Sequence, residues 1–399
     1  MRIIQVNSVY DRGSTGRIVQ SIGTDLAANG DESYVAYGRG AATEENNLIR
    51  VGSGIDVARH GVRSRLLDQH GLGSVRPTEE LVNHIRRLHV DIIHLHNIHG
   101  YYLNYEVLFG YAKSARTPMI WTLHDCWSFT GHCAYFTYAE CDKWRTSCRI
   151  CPQRSSYPAS IALDYSRENF RRKREAYKGH HNLTIVTPSR WLAALVSDSI
   201  LQEYPTRVIP NDLDFGVFKP TRSDWKLRMG LEGRYLILGV AANWEDRKGL
   251  RYIVGLAPHL RTDEVVIIVG NLPRGANLPM RYFHIPATQD AAELAAIYTA
   301  SDVLVNPTLE DNYPTTNLES MACGTPVVTF DTGGSAETIA RGQGRVVPTK
   351  SVRALREALD DLRSKPPTSS DAAGKRTLLP RPPVTMSEHY LGLYREILA

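Results

Sequence analysis

The residues best placed to do chemistry fall in one run of the second half, Asn306-Pro307-Thr308-Leu309-Glu310-Asp311-Asn312-Tyr313-Pro314-Thr315-Thr316-Asn317-Leu318-Glu319, which continues Ser320-Met321-Ala322-Cys323-Gly324-Thr325-Pro326. An apolar strand pattern leads into a polar loop. A helix then begins near residue 316 and stops at Gly324, and a second strand pattern follows. Gly just past a helix and Pro two residues on are ordinary stop chemistry. The free N–H groups and positive dipole end of such a helix suit a phosphate. The acids Glu310, Asp311 and Glu319 can accept hydrogen bonds from hydroxyl groups. Thr316 and Glu319 also fit a capping box, in which the carboxylate would only cap its own helix. Upstream, Trp244-Glu245-Asp246-Arg247-Lys248-Gly249 follows another strand pattern. A guanidinium fork and a point charge can hold a diphosphate without a metal, or they can be two solvated charges in a turn.

A second group lies in the first half. His94-Leu95-His96-Asn97 and Leu123-His124-Asp125 close two strand patterns. No carboxylate or third His has the spacing for a histidine-held metal. Asp11-Arg12-Gly13-Ser14-Thr15-Gly16-Arg17 opens a helix but lacks the full Gly-x-Gly-x-x-Gly signature. It reads as a loop allowing close backbone approach, or as a plain turn. Cys133, Cys141, Cys148 and Cys151 fall within nineteen residues, with Cys126 just upstream. They are candidate ligands of a small structural Zn site that would stabilise a loop without a core of its own. Packed reduced thiols and a redox pair are the alternatives.

Strands must present these groups. Apolar runs at 2–6, 34–37, 91–95, 119–123 and 183–187, then at 235–240, 265–269, 303–306 and 326–330, alternate with helical patterns at 16–28, 79–88, 191–201, 291–298 and 352–362. This alternation predicts an α/β chain of βαβ units and two doubly wound parallel sheets, with the loops at the strands' carboxyl ends facing a ligand crevice. The first domain is expected over residues 1–205, with a Cys-rich insert at 126–151, and the second over 206–384. Residues 364–384 are rich in Pro, Ser, Lys and Arg and read as a linker or loosely packed loop. A final helix at 385–399 has an apolar face to bury.

Composition narrows the setting. The chain has 399 residues, 42% hydrophobic and 22% charged, which excludes a disordered or fibrous bulk. No stretch reaches the ~18 apolar residues of a membrane span. The start, Met1-Arg2-Ile3-Ile4-Gln5-Val6-Asn7, reads as a strand and not a signal peptide. The expectation is a cytoplasmic protein. Its net charge of +5 falls short of a dedicated nucleic-acid binder. Residues 142–178 hold ten Lys or Arg against four Asp or Glu, a local +6. That stretch is a solvated face, or a basic face that docks an anionic membrane or holds a lipid pyrophosphate.

Taken together, these segments resemble the retaining, GT-B-fold glycosyltransferases of the family-4 type. The donor motif of that family has two acids separated by seven residues, then a small-residue helix and Cys-Gly-Thr-Pro-Val. Here Asp311 and Glu319 take the two positions, Asp replaces the usual first Glu, and Glu310 is adjacent. Gly333-Gly334-Ser335-Ala336-Glu337 resembles the family's Gly-Gly-x-x-Glu turn, Thr187-Pro188-Ser189-Arg190-Trp191 the stretch before its linker, and Ile209-Pro210-Asn211-Asp212-Leu213-Asp214 the linker itself, with Asp212 in place of Gly. Lys248-Gly249 matches its Lys-Gly. The family's earlier Arg is missing near Ala242 and Asn243, and Arg247 is the replacement. The Cys-rich insert is similar to one in the exopolysaccharide, colanic-acid-type branch.

The resemblance covers nearly the whole chain, and its implications are expectations here. The fold is GT-B, two Rossmann-like domains facing a cleft with the last helix crossing back to the first. His124 and Asp311, with Glu310, are catalytic groups at the donor sugar. Gly13, Gly16, Arg247, Lys248, Thr315, Thr316, Asn317 and Glu319 bind the donor, the last at the ribose. His96, Asn97 and Asp125 lie on the sugar or acceptor side. The activity is transfer from a UDP- or GDP-sugar to a hydroxyl acceptor with retention, without a catalytic metal. The setting is assembly of cell-surface polysaccharide on a lipid carrier, with attachment to the inner face of the plasma membrane as the option the basic stretch opens. Two other readings stay open: a nucleotide-sugar epimerase of similar shape, and a zinc-stabilised protein that binds nucleic acid.

Overall fold

The computed structural model describes residues 1–10, 13–40, 45, 47–288, 290–340, 342–367, 377–379 and 381–399. Asp11 and Arg12 of the first glycine-rich loop, and residues 368–376 and 380 of the expected linker, lie outside the described residues. Contacts divide the chain into two units, Met1–Asn211 with Val384–Ala399, and Asp212–Pro383.

The first unit runs β1 (Arg2–Val9), α1 (Gly13–Ala28), β2 (Glu32–Arg39), β3 (Leu48–Arg50), α2 (Gly54–Leu67), α3 (Val75–Leu88), β4 (Ile92–Leu95), α4 (Tyr105–Ala115), β5 (Met119–Thr122), α5 (Ser166–Tyr177), β6 (Leu183–Thr187), α6 (Arg190–Ser197) and β7 (Thr206–Val208). All neighbours pair in parallel, in the order β3-β2-β1-β4-β5-β6-β7. The second unit runs α7 (Trp225–Arg228), β8 (Tyr235–Asn243), α8 (Leu250–Val254), β9 (Glu264–Asn271), β10 (Tyr282–Ile285), α9 (Ala291–Ala300), β11 (Val303–Asn306), α10 (Thr315–Ala322), β12 (Val327–Phe330), β13 (Gly344–Val347) and α11 (Val352–Ser364). Its sheet is also parallel, ordered β10-β9-β8-β11-β12-β13. In both sheets the order reverses beside the first strand, between β1 and β4 and between β8 and β11. Loops leaving those carboxyl ends diverge and open a crevice within each unit.

Parallel strands covered on both faces read as continuous apolar runs, and β4, β5, β11 and β12 are buried at every position. The four strands absent from the sequence expectation are β3, β7, β10 and β13, and these are the four sheet edges. Each is three or four residues long and partly solvent-facing, so none carries a sustained apolar run.

The last helix, α12 (Met386–Leu398), starts at a capping box between Thr385 and Glu388. It buries Met386, Tyr390, Leu391, Leu393 and Tyr394 against Ile18, Ile22 and Leu26 of α1 and against Ile3, Ile92 and Ile120. The helix therefore closes one face of the first unit's sheet.

The stretch 142–178 is not one basic face. Lys173 is buried, with its Nζ donating to the carbonyls of Trp127 and Thr130 at 2.5 and 3.0 Å, and burial pushes its pKa down to about 7. Arg172 pairs with Glu106, Arg171 bridges Glu168 and Glu175, and Arg145 pairs with Asp198. Lys143 Nζ donates to the carbonyls of Arg149 and Ile150, so folding spends five of the ten cations on internal partners.

Removing the Tyr390 ring deletes a fully buried aromatic, a change that typically costs about 3–5 kcal/mol. Tyr390→Ala is expected to lower the unfolding free energy of the first unit by that order in urea titrations followed by tryptophan fluorescence.

Candidate functional site

In the second unit, β8 leads into a short turn that carries Arg247 and Lys248. The turn is stitched to the loop after β11: Leu309 N donates to the Arg247 carbonyl at 2.7 Å, and Thr308 Oγ1 reaches the same oxygen at 3.3 Å. Gly249 sits at φ +75°, and a Cβ there would stand 2.1 Å from the Pro307 carbonyl oxygen. Only glycine lets the two backbones come this close. Across this seam Lys248 Nζ meets Asp311 Oδ2 at 2.6 Å, both side chains being mostly buried. Arg247 Nε pairs with Glu245 at 3.0 Å and its Nη1 reaches the Glu310 carbonyl at 3.4 Å. Glu310 is itself buried.

Asp311 is held from its other side as well. Gly334 N donates to the Asp311 carbonyl at 3.1 Å. Gly333 lies at φ +55°, where a Cβ would fall 1.9 Å from that same oxygen. The Gly-Gly turn is thus a backbone cradle for the acidic loop.

Helix α10 starts directly after this loop, with Pro314 as its N-cap, and Thr315 and Thr316 are half-buried in its first turn. That register rules out the capping-box alternative, because Thr316 is already inside the helix. Glu319 is buried, and its Oε2 accepts from Tyr298 Oη at 3.0 Å. Asn317 departs from the donor-binding expectation. It is fully buried, donates Nδ2 to Thr338 Oγ1 (2.8 Å) and Ser335 Oγ (3.3 Å), and accepts from Asn306 Nδ2 at 2.8 Å. Its amide clamps α10 to β11 and to the turn at 335–338, and has little hydrogen-bonding capacity left for a ligand.

In the first unit, β1, β4 and β5 bring Gln5, His94, His96 and His124 into one polar column. Gln5 Nε2 donates to the Val19 carbonyl at 3.0 Å, so its Oε1 faces His96 Nε2 at 3.2 Å. That nitrogen must carry a proton. Burial keeps His96 neutral, so its Nδ1 is an acceptor, and it lies 3.2 Å from His124 Nε2. This assigns the Nε2–H tautomer to His124. Burial lowers the His124 pKa to about 4, despite the opposing Asp125 charge. His94 lies beside His96 at 4.1 Å between ring centroids, with the rings tilted by 38°. It bonds to Tyr394 Oη at 2.7 Å and to Thr122 Oγ1 at 2.8 Å, and Thr122 in turn meets Tyr390 Oη at 2.9 Å. The column therefore ends in α12.

Asn97 N donates to Asn7 Oδ1 at 3.2 Å, and Asn7 also reaches Val9 and Thr15 at the start of α1. Gly16 is buried in the first turns of α1, while Gly13 is exposed at φ +68°. Asp125 Oδ2 lies 2.9 Å from His99 Nε2, and its Oδ1 accepts from Trp127 N at 2.9 Å. Gln5, Asn7 and Tyr298 were not singled out from sequence. Gln5 and Asn7, with Ser8, leave a signal in retrospect as polar positions in a buried strand.

Phe129, Phe136 and Trp144 of the cysteine insert pack into the main core of the first unit, with the last two rings stacked at 4.9 Å. Cys133, Cys141, Cys148 and Cys151 line a cavity of about 20 Å³ together with His132. Gly131 N donates to Cys148 Sγ at 3.2 Å, and the Cys133 and Cys151 thiols share a hydrogen bond. Among the described residues, however, no group of three or more His, Cys, Asp or Glu is arranged to hold a metal ion.

Two outcomes follow from this geometry. Gly333→Ala forces a Cβ into the Asp311 carbonyl, so it is expected to lower stability by about 2 kcal/mol or more and to weaken ligand binding at the Asp311–Lys248 seam. Calorimetric titration beside urea unfolding separates the two effects. In the first unit, burial lowers the pKa values of His60 and His124 to about 4 and that of His94 to about 3. Unfolding releases them to bind protons near their ordinary 6.5, so stability should fall as pH drops from 6.5 towards 4. The urea midpoint measured across that window is expected to decline, and less steeply in His60→Gln.

Comparisons with known proteins agree with this architecture. Residues 15–215 match the family model described as Glycosyltransferase Family 4, and residues 234–365 match that of Glycosyl transferases group 1. The chain is 23% identical over 373 residues to the colanic acid biosynthesis glycosyl transferase WcaC of Escherichia coli (strain K12), with 89% of each chain covered. The fold is similar to that of sucrose-phosphate synthase from Thermosynechococcus elongatus, with a TM-score of 0.67, 17% identity and coverage of 100% of this chain and 96% of the other. It is likewise similar to Anabaena HepE in complex with UDP, with a TM-score of 0.62, 14% identity and coverage of 100% and 96%. The doubly wound units, the acid–lysine seam beside α10 and the match of one family model to half of the sequence lead to one conclusion: the chain belongs to glycosyltransferase family 4 and is a glycosyltransferase.

Proposed function

We propose that the protein transfers a sugar, with retention, from a UDP- or GDP-sugar to the hydroxyl of a lipid-linked glycan during assembly of a bacterial cell-surface polysaccharide. The observation that carries this reading is the Lys248–Asp311 pair at 2.6 Å, set at the carboxyl ends of β8 and β11 beside the first turn of α10. On donor binding, Lys248 and Arg247 move to the diphosphate, joined by the N–H groups of α10, and stabilise the leaving group. Asp311, released from Lys248, accepts hydroxyls of the donor sugar, and Glu319, on α10, accepts those of the ribose. In the first unit the neutral His124 serves the sugar, with His96 orienting it, and Asp125 and Asn97 stand on the acceptor side. The acceptor attacks on the face that the diphosphate leaves, so positioning and leaving-group stabilisation supply the rate and no protein nucleophile is required. The relation to a colanic acid enzyme and the similarity to HepE, seen with UDP and with UDP-glucose, support the polysaccharide setting and the nucleotide-sugar donor.

A melting-temperature screen against a panel of nucleotide-sugars tests this. The matching donor at about a hundred times its Kd should stabilise the protein by about 2.7 kcal/mol. Lys248→Ala removes a charge-assisted contact typically worth about 1.5–3 kcal/mol, so most of the shift should vanish. Glu319→Gln, which keeps the Tyr298 bond, should lose less. A panel that stabilises nothing, or a mutant that responds like the wild type, would refute the donor site. Release of an isomerised nucleotide-sugar without an acceptor would favour the epimerase instead.

A further inference from the structure

Helix α2 turns much of its aliphatic surface outward, with only Val57 packed against the core. Its buried positions are His60 and Ser64, while Ile55, Val62 and Leu66 face solvent at 64%, 58% and 45% exposure. At 100° per residue these three fall on one narrow stripe. Exposed Arg59 and Arg63 flank it on one side and exposed Arg65 on the other. The segment 160–165 adjoins the end of this helix: Ile161 N donates to the Arg65 carbonyl at 2.8 Å, and Tyr165 N to Asp68 Oδ2 at 2.8 Å. That segment exposes Ile161 (69%), Leu163 and Tyr165. A single exposed Leu needs no explanation, but six large apolar side chains on two adjoining segments form a patch.

The acids of these segments are spent internally. Asp56 accepts from Ser53 N and Oγ, buried Asp68 from Tyr165 N beside its contact with His132, and Asp164 from Cys151 N and Ser166 N. Arg63 donates to the neutral amide of Gln69. The surface thus offers an aliphatic stripe framed by arginines with no carboxylate turned outward among the acids just named. A second copy of the chain would have to oppose arginine to arginine across a symmetric contact, which like charges disfavour. An interface with anionic headgroups above an apolar layer matches both features at once.

We infer that the outward face of α2, with residues 160–165, seats the first unit on an anionic lipid bilayer, its aliphatic side chains entering the headgroup boundary and its arginines meeting lipid phosphates. The inference deepens the lipid-linked-acceptor reading and rests on it for its purpose. The contact itself does not depend on the donor site.

Flotation of the full chain with phosphatidylcholine vesicles, with and without phosphatidylglycerol, tests it. The wild type should float with the anionic vesicles and be released by high salt. Arg59→Gln with Arg63→Gln should weaken binding roughly fivefold for each charge removed. Ile55→Ser, Val62→Ser and Leu66→Ser together should abolish flotation. Arg353→Gln, an exposed arginine on α11 of the second unit, should float as the wild type does. All five substitutions on α2 are exposed, so melting temperature and the donor-induced shift should hold, which separates loss of the surface from loss of the donor site. The inference falls if the serine variant still floats, if the wild type ignores phosphatidylglycerol, or if the serine substitutions instead dissolve a dimer formed without vesicles.

Discussion

A polar group withdrawn from water must find a partner, and this requirement organises both units. Parallel strands are buried on both faces, so Gln5 and Asn7 on β1, His94 on β4 and Asn306 on β11 must find their hydrogen bonds inside the protein. Gln5, His96 and His124 satisfy one another. His94 is satisfied by Thr122 on β5 and by Tyr394, which α12 returns to it across three hundred residues, while Tyr390 meets Thr122. In the second unit, Asn317 does the same for α10 by binding Asn306, Ser335 and Thr338 at once. Such networks have few alternative arrangements, because a half-satisfied one costs more than an apolar core. They hold the strand ends, and hence the loops of the candidate site, in one geometry.

On that frame the chemistry is set by backbone proximity. Gly249 and Gly333 are not generic turn residues. Each lies against a carbonyl oxygen that a side chain would strike, and between them they fix Lys248 and Asp311 at contact distance. In this arrangement the two charges compensate each other. A ligand bringing a diphosphate and hydroxyls supplies each with a better partner, so binding trades one ion pair for two sets of charge-assisted bonds. His124 is half-buried and its pKa is lowered, so it offers hydrogen bonds and no charge near neutral pH.

Charge is distributed less simply than a count along the chain implies. The +6 stretch is partly consumed by Glu106, Asp198 and the buried site of Lys173. The arginines of α2, unremarkable in number, stand outward beside aliphatic side chains. Fold position decides which cations are structural and which are surface.

The sequence by itself determined the strand and helix periodicity of both sheets, the central strands, the last helix, and the loops that carry Lys248 and Asp311, which the fold then brings into contact. These are legible because a buried parallel strand needs a continuous apolar run and a helix start needs a polar loop before it. Tertiary structure alone decided the edge strands, too short and too wet to show a pattern. It also decided that Asn317 is a clamp, that the aromatic rings of the insert join the core of the first unit, and that α2 turns Ile55, Val62 and Leu66 outward. Each of these depends on which distant residue arrives to satisfy or cover a group. Residue spacing encodes the local period, and only the folded chain brings Tyr394 to His94 or Gly333 to Asp311.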